Sequence, residues 1–175
     1  SFNIEGKTLL HNTNLSLNKD GITVLLGANG AGKTIFLKLL TGLLTPCSGS
    51  ISLEGGNLSI KTRAFVSQEP VILRRTVLKN MLFVLEKITS EKSTQAKELL
   101  SLMGLDKKEN QNALTLSAGE KQRLCLARAI ITDPEILLLD EPTANIEPNS
   151  TTLIEKYLIQ KVRSSRKIFF VTHDI

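Results

Sequence analysis

The run Gly27-Ala28-Asn29-Gly30-Ala31-Gly32-Lys33-Thr34 sets three glycines, a lysine and a hydroxyl residue at the spacing of a phosphate-binding P-loop. With no side chains at the glycines, successive backbone N–H groups can wrap a phosphate chain. The free N–H groups and dipole of a helix opening there favour negative charge. Lys33 is placed to reach the β and γ phosphates of a nucleotide, and Thr34 to offer its hydroxyl to Mg²⁺. A flexible glycine-rich loop with a chance Lys-Thr is a roughly one-in-a-hundred coincidence in a chain of this length and is set aside. Further along, the apolar run Ile136-Leu137-Leu138-Leu139 ends in Asp140-Glu141. This puts two carboxylates at the carboxyl edge of a sheet, where α/β proteins build ligand sites. Asp140 suits a Mg²⁺ contact, direct or through water. Glu141 is placed to polarise a water for attack on a γ-phosphate. An apolar strand ending in Asp-Glu is by itself more often a turn, and the glycine-rich loop upstream gives it weight.

Leu116-Ser117-Ala118-Gly119-Glu120, followed by Lys121-Gln122-Arg123, carries two readings. Ser117 and Glu120 have the S-x-x-E spacing of a capping box. The same run resembles the signature, usually written LSGGQ, of the ATP-binding cassette (ABC) family. The readings are compatible, because a capped helix with small residues at its tip has an anion-binding end. The resemblance extends over essentially the whole chain, with motifs in the family's order: P-loop, Gln68, signature, Asp140-Glu141, His173. It implies that Ser117, Ala118, Gly119 and Glu120 act in trans, on the γ-phosphate of ATP held by an opposite subunit. It also implies that Gln68 touches Mg²⁺ or the attacking water, and that His173 hydrogen-bonds the γ-phosphate and steadies Glu141. Alone, Gln68 is a loop residue and His173 a surface or capping residue. The site so implied has Glu141, His173 and Gln68 as catalytic residues, Gly27 to Thr34 holding nucleotide, and Thr34, Gln68 and Asp140 around the metal. ATP and Mg²⁺ are the expected cofactors.

Several positions depart from the family's pattern. Ile35 stands where a second hydroxyl residue usually meets the α-phosphate. Ala118 and Glu120 replace Gly and Gln, adding a methyl and a negative charge near an anion. Ala144-Asn145-Ile146-Glu147-Pro148 occupies the place of the D-loop, which crosses the dimer interface, with Glu147 where Asp is usual and Ala144 where Ser is common. Ile4 falls near the place of the aromatic that stacks on adenine, with Phe2 as the substitute and Tyr157 the only tyrosine.

These residues need elements to hold them. Ile22 to Leu26 reads as a buried strand feeding the glycine-rich turn, and a helix follows from about Gly32 until Thr45-Pro46. Ile51 and Leu53 alternate as a short strand, and Ala64 to Ser67 forms another. Thr76 to Gly104 carries helical spacing around Leu78, Leu82, Leu85, Leu99, Leu102 and Met103. A helix over Ser117 to Ile131 stops at Asp133-Pro134, before the strand Ile136 to Leu139. A helix around Ser150 to Val162 and a strand from Ile168 to Thr172 complete the alternation of an α/β protein with a mainly parallel sheet. The resemblance adds a RecA-like core, an N-terminal antiparallel β part and a small α-helical subdomain. The expected organisation is one ABC ATPase domain over 1–175, with the helical subdomain at approximately 70–132 inserted in the core.

Length fits one domain, and 41% hydrophobic with 22% charged residues is the balance of an ordinary globular protein. No apolar run approaches the roughly 18 to 20 residues of a membrane-spanning helix, so any membrane part is expected in another chain. Two cysteines without metal-ligand spacing fit a reducing cytoplasmic setting. The net charge of +5 is spread over small clusters such as Arg74-Arg75, which read as solvated faces, and no nucleic acid is expected. The chain begins at Ser1 and stops at Ile175 just after an apolar run, and is expected to be cut at both ends.

The resemblance implies a dimer with two composite ATP sites and transmembrane permease subunits as partners, with a substrate-binding protein as a further partner of an importer. The expected location is cytoplasmic, peripheral on the membrane through the permease. Val71, Ile72, Leu73, Arg74 and Arg75 are expected at the permease contact. Import is favoured because exporters often carry their span in the same chain. The stretches Gln68 to Val77 and Glu141 to Pro148 are similar to those of tungstate-type oxyanion importers. Other importers, a haem exporter, and non-transport cassettes of DNA repair or translation are the competing readings. Against the last stand the absence of long coiled-coil insertions, a cysteine-zinc module and a second cassette. A purely regulatory nucleotide binder is disfavoured by Lys33, Asp140, Glu141 and His173 together.

Overall fold

The computed structural model describes residues 1–4, 6–11, 13–17, 20–52, 62–144, 146–162 and 167–172. β1 (Phe2–Ile4) and β2 (Lys7–Leu10) form an antiparallel pair. β3 (Gly21–Leu26) leads into α1 (Lys33–Thr41), and β4 (Arg63–Val66) follows. Three helices come next: α2 (Val77–Leu82), α3 (Ser90–Leu102) and α4 (Ala118–Ile130). The chain ends in β5 (Ile136–Asp140), α5 (Pro148–Val162) and β6 (Lys167–Thr172).

β3, β6, β5 and β4 lie side by side in that order, all parallel. β5 is buried along its whole length because helices cover both faces of the sheet. Ile136 and Leu138 pack with Leu37 of α1, Phe169 and Val171. Leu137 and Leu139 point the other way, into the larger core shared by α2, α3, α4 and α5. A continuous apolar strand is therefore what this position demands, and Ile136 to Leu139 supplies it.

The α/β class, the parallel sheet and the N-terminal antiparallel part agree with expectation. The details differ in several places. β3 is not the buried strand expected: it lies at one end of the strand order and alternates partly covered Thr23 and Leu25 with exposed Ile22, Val24 and Leu26. α1 stops at Thr41, short of Thr45-Pro46, because Gly42 caps it in a left-handed conformation at φ 77°. Helicity after Thr76 breaks at Leu82, so Leu85 lies in a turn whose N–H bonds back to the Leu82 carbonyl. α5 starts at Pro148, two residues early, since proline lacks only a donor that the first helical turn leaves unused. Ile51 lies outside any strand, and Leu53 falls outside the described residues.

Candidate functional site

Parallel strands bring their carboxyl ends to one edge. Leu26 pairs with Thr172, Asp140 with Val171, and Val66 with Leu139. The glycine-rich loop, Glu141 and Gln68 all emerge from this edge. His173 directly follows Thr172 in the chain and lies outside the described residues.

The loop turns into α1 through Gly32, whose φ of 85° is a left-handed conformation. A Cβ there would come within 3.1 Å of the Leu9 carbonyl oxygen, so both backbone and neighbour require glycine. No side chain caps α1 and no acidic residue occupies its first turn, which leaves its leading N–H groups to an anion. The Lys33 ammonium donates to the carbonyls of Gly27 at 2.5 Å and Ala28 at 3.0 Å, arching over its own loop. Thr34 donates its hydroxyl proton to Asp140 Oδ2 at 2.6 Å. Residues 106 positions apart thus form one oxygen pair, with Asp140 buried. A hydroxyl and one carboxylate are the oxygen donors that suit Mg²⁺, which takes few protein ligands and completes its shell with water and phosphate.

Glu141 is buried and sits at φ 50°, a left-handed conformation costly for a residue with a Cβ. Its N–H donates to the Val171 carbonyl at 3.0 Å, which fastens the turn to the end of β6. Strain of this kind concentrates where a side chain must be aimed. Gln68 is exposed, one residue beyond β4 and its following Ser67. Buried Gln122 of α4 donates from Nε2 to the Ser67 carbonyl at 3.3 Å, so α4 holds the root of this loop.

At the start of α4 the capping box is complete. Ser117 Oγ accepts from the Glu120 N–H at 3.3 Å, and Glu120 Oε2 accepts from the Ser117 N–H at 3.0 Å. Ser117 and Ala118 are exposed at the tip. Sequence reasoning missed two residues here. Lys108 pairs with Glu120 Oε1 at 2.5 Å from a 3₁₀ turn twelve positions away. Its hydrogen bond, and after it that of the Ser117 N–H, hold the Glu120 carboxyl below its ordinary value. Arg123, buried, reaches Glu147 Oε2 at 3.5 Å and Ser150 Oγ at 3.4 Å, linking α4 to the residue before α5 and to the first turn of α5 itself. The Lys121-Gln122-Arg123 run hinted at Arg123, whereas nothing in sequence paired Lys108 with Glu120. The stacking residue also resolves in part: Phe2 is buried, which removes it as a platform for a base, and Ile4 is exposed.

The family model described as ABC transporter matches residues 10–144, from the end of β2 through the Asp140-Glu141 turn. The chain belongs to the ABC transporter family. This ABC protein is 37% identical over 174 residues to the taurine import ATP-binding protein of Pseudomonas syringae pv. tomato, covering 95% of this chain and 67% of the relative. It is 34% identical over 176 residues to the tungstate uptake ATP-binding protein of Peptoclostridium acidaminophilum, covering 97% of this chain and 82% of the relative. Among solved structures, a dimeric ATP-binding cassette in a post-hydrolysis state bound to ADP and Pi superposes with a TM-score of 0.84 at 25% identity, covering 95% of this chain and 80% of that one. The ABC chain is an ATP-binding subunit, an ATPase coupled to transport. Among its described residues no helix is long and apolar enough to cross a membrane.

Proposed function

We propose that this cassette hydrolyses ATP between two copies of itself and so drives a separate permease that imports a small solute, an anion of the tungstate or sulfonate kind. Residues 1–175 act as one ATPase unit with the helical part at about 70–132 inserted in it, working at the cytoplasmic face through the permease. The observation that carries the reading is the joining of Thr34 to Asp140 at 2.6 Å, beside the uncapped start of α1 and one residue before Glu141. Relatives named for taurine import and tungstate uptake support import, and both named solutes carry an oxyanion group, a sulfonate in one and tungstate itself in the other. The dimeric solved relative supports pairing of two cassettes.

In this mechanism the loop N–H groups and Lys33 hold the phosphates, and phosphate oxygens take over the Lys33 donors now given to Gly27 and Ala28. Mg²⁺, when bound, neutralises phosphate charge. Thr34, Asp140 and Gln68 are the residues that would hold it. Glu141 orients the attacking water, and His173 supports it. Ser117, Ala118, Gly119 and Glu120 close the site from the opposite copy. Hydrolysis removes the γ-phosphate contacts on both sides, the dimer opens, and the permease follows.

Light scattering of the Glu141→Gln protein with ATP and Mg²⁺ tests this. ATP should produce a dimer that adding Ser117→Arg abolishes, while turnover of Glu141→Gln falls by roughly 10²- to 10⁴-fold. An ATP-bound protein that stays monomeric, or undiminished turnover, would overturn the reading.

A further inference from the structure

We infer that Lys108 acts as the built-in counterion that lets Glu120 occupy the signature, so that ATP-dependent pairing of two copies depends on the Lys108–Glu120 ion pair. This rests on the proposed role of the signature in trans.

Glu120 places a carboxylate in the first turn of α4, at the tip that would meet the γ-phosphate of the opposite copy. An unmasked carboxylate there opposes the incoming anion and cancels the favourable field of the helix start. The structure withdraws that charge in two ways. Oε2 is turned back onto the Ser117 N–H at 3.0 Å, and Oε1 meets the Lys108 ammonium at 2.5 Å. The Glu120 side chain retains 16% of its exposure and Lys108 38%, so the pair is only partly screened by water. Lys108 is not a wandering surface cation. It sits in the 3₁₀ turn Asp106–Lys108, and its own N–H bonds to the carbonyl of fully buried Leu105 at 3.0 Å. Its carbonyl accepts from the Gln111 N–H at 2.9 Å. The turn is anchored on the helical core, and Lys108 extends from it to the tip of α4.

The charge at this tip is thus set by two residues, one inside the signature and one outside it. Removing Lys108 leaves a full negative charge where the γ-phosphate must dock. Removing the charge of Glu120 as well makes Lys108 dispensable. Neither step alters the serine or the small residues of the tip.

The test is the ATP concentration that half-dimerises the Glu141→Gln chain with Mg²⁺, compared with the same chain carrying Lys108→Met, Lys108→Arg, or Lys108→Met with Glu120→Gln. Lys108→Met should raise that concentration roughly three- to tenfold. The increase should shrink at high salt, Lys108→Arg should retain most of the parent affinity, and Glu120→Gln should rescue Lys108→Met. Circular dichroism melts keep a folding defect separate: a merely structural lysine would lower the melting temperature of Lys108→Met in step with its dimerisation, whereas the counterion role weakens dimerisation in a chain that melts close to the parent. If the parent dimerises and loses its dimer with Ser117→Arg, but Lys108→Met dimerises like the parent or is not rescued, the counterion role falls and the composite site stands. If the parent never dimerises on ATP, the composite site falls and the counterion role with it.

Discussion

Glu120 is stabilised as an anion, chiefly by the Lys108 hydrogen bond and next by the Ser117 N–H. A carboxyl whose folded pKa is depressed contributes stability above its unfolded value and loses it as pH falls through the folded one. Melting temperatures from neutral pH downward should therefore show Glu120→Gln less stable than the parent near pH 7, with the gap closing in acid. A constant gap would mean that the carboxylate's charge contributes nothing. Gly32 makes a second residue-scale case. Gly32→Ala must hold φ 85° with its Cβ 3.1 Å from the Leu9 carbonyl, and should cost about 1–2 kcal/mol in urea denaturation as well as weakening ATP binding. The glycine-rich loop was legible in sequence because its residues are contiguous and its chemistry is mainly backbone. The Lys108–Glu120 pair was not, because a turn in three dimensions rather than a spacing brings its members together. The burial of Phe2 was hidden for the same reason, as an aromatic two residues from Ile4 carries no mark of which face it takes.

The two helices that face the proposed ATP sites begin in opposite ways. α1 starts at a glycine with no side-chain cap, while α4 starts at a serine in a closed capping box. An uncapped start stores donors for a ligand; a capped start stabilises the element before any ligand arrives. Ser117→Ala should thus lower stability by about 1 kcal/mol in urea denaturation without nucleotide. An Ala variant as stable as its parent would show that Glu120 and Lys108 hold the helix start unaided. Elements with a strong pattern were readable: β5 from its apolar run, α4 from Ser117 and the Asp133-Pro134 stop. The break after Leu82 was not, because apolar helical spacing persists through Leu85 while the chain turns to lay α3 on the same core.

Across the whole molecule one apolar body runs from α2 and α3 through α4 to the sheet, containing Met81, Leu100, Leu126 and Leu139. Cys125 lies within it, its thiol donating to the Val71 carbonyl at 3.6 Å, and burial raises its pKa. Cys47 is exposed, with its sulfur accepting from the Asn3 N–H at 3.3 Å. A thiol reagent should therefore take Cys47 first and reach Cys125 only when α4 leaves the core. In a Cys47→Ser protein, which keeps an acceptor for Asn3, Cys125 labelling becomes a clock for opening. ATP bound by the folded chain opposes that opening by mass action, so at a hundred times its Kd labelling should slow by roughly a hundredfold. Slow labelling that lengthens with ATP would show that the nucleotide site and the helical core open as one unit. Fast labelling indifferent to ATP would mean that α4 detaches alone, and the signature would then be presented by an element that moves independently of the P-loop.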